Sequence, residues 1–209
     1  MMKTWILSLH FCLILFFGGC ETSKLVRTAL LEPLEPRDFL EPPKILDSTQ
    51  EFGLLHSIVI TVPANRNIYL ANAEPNIEIV HPSGSRKDTA ALHAPIKALD
   101  GMLKGGEVLD IFATGTARNV PVHSIQFGPN GGTSQIEVER IMGYRSLTCA
   151  IGALVGLFDN EKQPFVIGQR KQIDVPGGAK ALYLGVMDYP GYSSDNLGEY
   201  LVNIDVIRR

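Results

Sequence analysis

The sequence lacks any concentration of basic charge. Its 19 Lys and Arg residues are outnumbered by 22 Asp and Glu residues, which gives a formal net charge of -3 and a sequence pI near 5.9. Because binding to phosphate groups needs a clustered basic surface, we expect no nucleic-acid partner.

Cysteine pairs are also missing. The chain has three cysteines: Cys12 lies within an apolar run, Cys20 ends that run, and Cys149 stands alone in the rest of the chain. No internal disulfide is therefore expected, so the fold must rest on its core or on a bound ion. We interpret Cys149 as a small buried hydrophobic residue.

Residue spacings typical of catalytic sites are absent as well. No histidine belongs to an H-x-x-x-H or H-E-x-x-H pattern that would hold a metal ion. The glycine-rich stretches K-G-G-E and P-N-G-G-T are not followed by the lysine and helix of a phosphate-binding loop. We therefore predict that the protein is not an enzyme and that its later histidines are surface or strand-end residues: His56, His81, His93 and His123.

Residues 1–19 have the three parts of a secretory signal peptide. Lys3 precedes an apolar stretch at residues 5–17, which is too short for a comfortable membrane-spanning helix, and two glycines follow. The final F-F-G-G-C resembles the lipobox of bacterial lipoproteins, although Phe17 stands where Leu, Val or Ile is usual. The resemblance implies that Cys20 is lipidated and anchors the protein to a membrane of the cell envelope, at the periplasmic face or the cell surface. Ordinary cleavage and an uncleaved anchor are the alternatives.

Residues 20–48 contain three L-E-P triplets and little apolar periodicity. Proline next to nearly every apolar residue prevents a helix and favours an extended, semi-rigid chain. We interpret this segment as a tether, with a Pro-rich docking motif for a partner protein as the alternative.

Residues 49–209 are predicted to form one all-β domain. Apolar residues alternate with polar ones in several short runs, as expected for strands with one face in a core, and turn residues separate the runs. The pattern indicates an antiparallel β-sandwich or a jelly-roll-like fold. A weak helix is predicted over residues 89–102. The alternating residues are Ile58, Ile60, Val62, Leu109, Ile111, Leu182, Leu184, Val186, Val202, Ile204 and Val206.

One loop has the composition of a cation site. The stretch M-D-Y-P-G-Y-S-S-D-N-L-G-E-Y, at residues 187–200, places Asp188 at a strand end and Asp195 and Asn196 after a Pro-Gly turn. Calcium binds six to eight oxygens from carboxylates, amides and carbonyls, and a tight loop can supply several of them. Asp and Asn are also ordinary turn residues, so the pattern alone leaves both interpretations open.

The same stretch carries a family resemblance. The segment G-A-L-V-G-L-F-D-N-E-K-Q-P-F-V-I-G and the later V-P-G-G-A-K-A-L-Y-L-G-V-M-D-Y-P-G-Y-S-S-D-N-L-G-E-Y-L-V-N-I resemble the C-terminal half of PA-IL-type galactose-binding lectins. Upstream, I-T-V-P-A-N-R-N-I-Y-L and G-G-E-V-L-D-I-F-A-T-G-T-A-R are similar to the family's opening strands, separated here by an insertion of about residues 75–98. The resemblance implies a jelly-roll-like, galactose-binding-like sandwich with one calcium ion whose coordination a sugar completes.

The resemblance also implies roles for individual residues. Calcium would be held by the side chains of Asp188, Asp195 and Asn196, by the backbone carbonyl of Tyr192 and by a second carbonyl near Asn119. The sugar would be bound by residues of the same loop: Asp188, Tyr189, Asp195 and Asn196.

Two departures from the family pattern change these expectations. The loop at about residues 132–145 shows no counterpart of the His and Gln that contact the sugar in the galactose-specific lectin, so a galactoside is only one candidate ligand. Asp195 stands where the family usually has Asn, and its added charge should strengthen calcium binding. We expect calcium-dependent carbohydrate binding by an envelope-anchored lipoprotein. A calcium-stapled structural or protein-interaction domain is the alternative, and the oligomeric state is left open.

Overall fold

The structure, a computed structural model, describes residues 53–119 and 126–208. The signal peptide, the lipidation site at Cys20, the tether and His123 lie outside the described residues, so the expectations about them stay predictions. Within the described ranges, no helix is long and apolar enough to cross a membrane.

The described chain is built almost entirely from β-strands. A single-turn helix α1 (Ala90–His93) and two 3₁₀ turns, Ile68–Leu70 and Ser193–Asp195, interrupt them. The strands are β1 (Gly53–Pro63), β2 (Glu78–Val80), β3 (Lys87–Thr89), β4 (Ile96–Ala98), β5 (Glu107–Asn119), β6 (Gln126–Phe127), β7 (Gln135–Val138), β8 (Leu147–Ala150), β9 (Leu154–Phe158), β10 (Phe165–Val166), β11 (Arg170–Asp174), β12 (Leu182–Val186) and β13 (Asn196–Arg208).

Two antiparallel sheets form the body of the domain. The larger has the order β1-β13-β5-β11, with β6 paired to one end of β5, and the smaller has the order β10-β9-β12-β4. Strands β5 and β13 pair along their whole length, from Asn119 opposite Asn196 to Glu107 opposite Arg208. This register brings the C-terminal end of β5 beside the loop that precedes β13.

The two sheets enclose the principal core, and the all-β sandwich prediction is confirmed. Leu109, Ile111, Val202 and Ile204 of the larger sheet are fully buried against residues of β9 and β12, and Ile58 and Ile60 pack at the edge. Alternation along β13 thus reflects one core-facing and one outward-facing side, as a strand period of two requires.

A second core covers the other face of the smaller sheet. Tyr183 and Met187 point away from the first core and pack with residues of the 3₁₀ turn at 68–70 and of the β2–β3 and β7–β8 hairpins. Strands β9 and β12 are buried at every position for this reason. Cys149 belongs to this second core as a buried free thiol, as predicted.

The predicted helix at 89–102 is wrong beyond His93. Residues Ile96 and Ala98 instead pair with Leu184 and Leu182 as strand β4. Pro95 cannot continue the helix, because it lacks a backbone N–H and disfavours helical geometry at Ala94, and pairing with β12 then buries Ala98. Part of the segment interpreted as an insertion therefore extends the smaller sheet.

Candidate functional site

A cavity of about 420 Å³ opens beside the end of β5 and the loop between β12 and β13. The cavity combines aromatic and aliphatic walls with a few polar groups, the composition expected of a small-molecule site. Its lining residues are His81, Asn119, Ser134, Ile136, Ile151, Tyr189, Tyr192 and Asp195.

Asp188, directly after β12, is a buried carboxyl group next to this cavity. Its side chain is 5% exposed, and its Oδ1 accepts a hydrogen bond of 2.7 Å from the backbone N–H of Tyr189. Asn119 Nδ2 lies 3.5 Å from Asp188 Oδ2, a long contact. Burial raises the pKa of Asp188 to about 6, against the smaller lowering effects of the Tyr189 N–H and the Asn196 side chain. A nearby cation would relieve this unfavourable burial of charge.

Asn196 begins β13 opposite Asn119. Its Nδ2 donates a 3.2 Å hydrogen bond to the carbonyl of Ala64, which fixes the orientation of the amide. The Oδ1 atom on the other side is buried and has no hydrogen-bond partner among the described residues. An acceptor oxygen is thus held in place without a donor.

Asp195 presents a second oxygen of this kind. Its Oδ2 forms an ion pair with the guanidinium of Arg86, while its Oδ1 is buried without a partner. Among the described residues, six buried side-chain polar atoms lack a partner, and three of them belong to residues 193–196. Buried polar atoms normally find partners, so this concentration makes residues 193–196 a candidate ligand site.

Asp88, on β3, holds the loop between β12 and β13 in place. It is fully buried, and its carboxylate accepts backbone hydrogen bonds from Gly191, Ser193 and Ser194 at 3.0–3.3 Å and a side-chain bond from Asn67 at 2.8 Å. A buried carboxylate with four donors is a strong anchor, because hydrogen bonds to charged groups are stronger than neutral ones. The β2–β3 hairpin therefore shapes the loop between β12 and β13.

Gly191 allows the hairpin to approach this loop. Its φ is +85°, and a Cβ atom there would lie 2.7 Å from the backbone N of His81 and 2.9 Å from the carbonyl oxygen of Arg86. The Tyr192 ring then contacts the hairpin on two sides, with the His81 ring at 4.7 Å and the Arg86 guanidinium at 4.9 Å.

The structure brings together the residues that the sequence singled out. Asn119, Tyr189, Tyr192 and Asp195 line the cavity, and Asp188 and Asn196 lie buried beside it. Their assignment as calcium or sugar ligands stays a prediction. The Tyr192 carbonyl accepts a 3.3 Å hydrogen bond from the Asp195 N–H, which leaves it a second lone pair.

Sequence reasoning missed Arg86, Asp88 and His81, all on the β2–β3 hairpin. Asp88 and Arg86 are more than a hundred residues away from their partners in the loop, and no spacing pattern links the two segments. His81 was expected to be a surface or strand-end residue, and it directly follows β2, but it also lines the cavity.

The donor set is compatible with an oxygen-coordinated cation. Within residues 53–119 and 126–208, no group of three or more His, Cys, Asp and Glu side chains could by itself hold a metal ion. Amide and carbonyl oxygens would therefore have to complete the coordination, as they commonly do for calcium. Of the two unpartnered Oδ1 atoms, that of Asn196 is an amide oxygen of this kind, and that of Asp195 is a carboxylate oxygen.

Comparison with known proteins finds a distant likeness among solved structures. No protein-family model matches the chain, and no curated protein matches it. Among solved structures, the chain is similar to the EclA N-terminal domain, described as a PllA-like lectin, with 20% sequence identity and a TM-score of 0.41 over 74% of this chain and 97% of that one. This likeness is too low to transfer a ligand or a site residue. The resemblance to PA-IL-type lectins stays a prediction.

Proposed function

We propose that this domain binds carbohydrate through a calcium ion held beside Asp188, without catalysis. The observation that carries the proposal is the pair of buried acceptor oxygens, Asp195 Oδ1 and Asn196 Oδ1, left without donors next to a desolvated carboxyl group. Acceptors without donors suit a metal ion, which needs only lone pairs.

The proposed ligand set comes from three parts of the chain. Asp188 supplies a carboxylate, Asp195 and Asn196 supply one oxygen each, and the carbonyls of Tyr192 and of a residue near Asn119 complete the protein's share. When bound, the ion supplies the positive charge that keeps Asp188 ionised and attracts the hydroxyl oxygens of a sugar. The remaining coordination positions are left for those hydroxyls.

The cavity walls suit a sugar ring. Tyr189 is 47% exposed, and with Tyr192, Ile136 and Ile151 it offers apolar surface to the C–H face of a pyranose. The carboxylate of Asp188 and the oxygens of Asp195 and Asn196 would accept hydrogen bonds from hydroxyl groups. Hence one side of the site excludes water while the other binds polar groups, as in small-ligand pockets generally.

The proposal extends to carbohydrates with adjacent hydroxyls, galactosides included. The loop that should carry the specificity contributes Ser134 and Ile136 to the cavity. Ser134 offers one short hydroxyl and Ile136 no polar group, in place of the His and Gln that the PA-IL resemblance would require. The sugar must therefore be found by screening.

We also propose that the protein is a lipoprotein of the cell envelope, anchored through Cys20. The support is the apolar run and the Gly18-Gly19 pair that precede this cysteine. An anchored binding domain would act on glycans close to the membrane.

A glycan array tests the proposed function. The full chain in detergent is applied with calcium and with a chelator, beside Asp188→Ala and the control Asp110→Ala, which changes an aspartate of the larger sheet away from the cavity. We expect retention on at least one glycan with calcium, its loss with chelator, its loss in Asp188→Ala and its persistence in the control.

The other outcomes discriminate between functions. Calcium-dependent thermal stability without retention on any glycan would favour a calcium-stapled structural or protein-interaction domain. Retention on a glycan that neither the chelator nor Asp188→Ala abolishes would show that binding does not need calcium.

A further inference from the structure

We propose that Arg86 is a counter-ion built into the calcium site, a positioning residue that neutralises Asp195 and thereby sets the affinity for the ion. The inference rests on the proposed function. It makes the β2–β3 hairpin part of the site rather than a neighbouring insertion.

Two contacts hold Arg86 in this position. Its guanidinium pairs with Asp195 Oδ2, and it stacks over the Tyr192 ring with 4.9 Å between the guanidinium carbon and the ring centroid. The Arg86 side chain is 30% exposed and that of Asp195 only 17%, so water screens the pair incompletely. Arg86 is therefore a fixed charge at the edge of the site.

In net charge and in the number of oxygens it offers to a cation, the Arg86–Asp195 pair is equivalent to the amide side chain of an Asn. A carboxylate with a guanidinium sums to zero charge, as does the Asn that the PA-IL resemblance would place at position 195. Arg86 occupies Oδ2, which leaves only Oδ1 available for a cation. Asp195 then offers one neutralised oxygen, and the tighter calcium binding expected from its extra charge is cancelled.

The hairpin has anchors that do not depend on Arg86. Asp88 accepts its four hydrogen bonds from Asn67 and from the loop, and the backbone of His81 and Arg86 packs against Gly191. Removal of the Arg86 charge should therefore leave the loop in place. This allows the electrostatic role to be separated from a structural one.

The structural and the electrostatic role predict opposite effects of Arg86 removal on calcium affinity. If Arg86 only held the loop together, its removal would weaken calcium binding. As a counter-ion, its removal frees the full charge of Asp195 for the metal, so binding becomes tighter while the metal-free protein becomes less stable.

The experiment measures calcium affinity in the full chain in detergent. Terbium luminescence sensitised by the tyrosines of the site reports metal occupancy, and competition with calcium gives the affinity. The variants are Arg86→Gln, Arg86→Lys, Asp195→Asn and the double variant. Arg170→Gln, which breaks the 2.9 Å pair with Asp110 on the larger sheet, is the matched control.

We expect Arg86→Gln to bind calcium about tenfold more tightly, the size of effect for one charge at a partly exposed site. It should also lower the melting temperature of the metal-free protein. Asp195→Asn leaves Arg86 unpaired and should weaken binding about tenfold. The double variant, Arg86→Lys and the control should each stay within about threefold of the original protein.

Each contrary result has a distinct meaning. If the original protein binds calcium but Arg86→Gln binds it equally or more weakly, the counter-ion role is overturned and the proposed function stands. If neither the original protein nor any variant gives a terbium signal that is lost on addition of calcium, the proposed function fails, and this inference fails with it.

Discussion

Asp188 is a residue whose surroundings oppose its own charge. Its pKa is raised from 3.8 to about 6, chiefly because burial removes the carboxylate from water. Because the folded-state pKa exceeds the unfolded value, the metal-free fold loses stability as the pH rises from about 4 through 6, and the loss persists at pH 7. The shift corresponds to about 3 kcal/mol, which bound calcium would offset.

Asp188→Asn should therefore stabilise the metal-free protein. The amide keeps an oxygen that can accept from the Tyr189 N–H but carries no charge to desolvate. At pH 7.5 with chelator, we expect the melting temperature to rise by about 5 °C, and at pH 4 to change little. Calcium should no longer raise it further.

Asp110→Asn is the control for this prediction. Hydrogen bonding to Arg170 lowers the pKa of Asp110, the opposite direction from Asp188. Its replacement should give no stabilisation at pH 7.5. A metal-free Asp188→Asn protein that melts at or below the original temperature would show that the buried carboxylate is not a cost to the fold.

Among the elements, strand β13 was predictable from the sequence, whereas the packing of the β2–β3 hairpin was not. Alternation in β13 predicted a core-facing strand correctly, because each residue's side is determined locally by the strand period. The packing of the hairpin against the 190–195 loop depends on contacts across about a hundred residues, such as Asp88 with Gly191. No local pattern in S-R-K-D-T, at residues 85–89, predicts that contact.

The site was predictable to a similar extent. Asp188, Asp195 and Asn196 were found because they are close together in sequence, and Asn119 because the resemblance supplied it. Arg86 and His81 were missed because their contribution comes only from tertiary packing. The second core was missed for the same reason: uninterrupted apolar strands such as β12 do not reveal what covers their outer face.

Gly191→Ala tests the docking of the hairpin on the loop. A methyl group there would meet backbone atoms of His81 and Arg86 at under 3 Å, in addition to the strain of a positive φ. We expect a loss of about 2 to 4 kcal/mol in the free energy of unfolding, and weaker calcium binding.

Gly84→Ala provides the comparison. Gly84 has a φ of +71° at the tip of the same hairpin, but its Cβ would point into open space. Only the backbone strain remains, so the loss should be about 1 kcal/mol, with calcium affinity unchanged. Equal losses in the two variants, measured by chemical denaturation, would argue against close docking at Gly191.

At the scale of the whole molecule, the prediction is that the protein is attached to a membrane. Cys20→Ala should release the protein from the membrane fraction and abolish labelling by a fatty acid, because the modified thiol is gone. Cys12→Ala, within the apolar run, should leave both unchanged. Unchanged labelling of Cys20→Ala would exclude the lipid anchor.

The central claim is that one calcium ion is held where Asp188, Asp195 and Asn196 meet. Calorimetric titration of calcium into the full chain in detergent tests it most directly. We predict one ion per chain and, at a hundredfold excess over Kd, about 2.7 kcal/mol of added stability, seen as a rise of several degrees in melting temperature. Asn196→Ala should reduce the affinity less than Asp188→Ala, since an amide contributes a dipole and a carboxylate a full charge. A titration without binding heat, together with a melting temperature that calcium leaves unchanged, would contradict the claim.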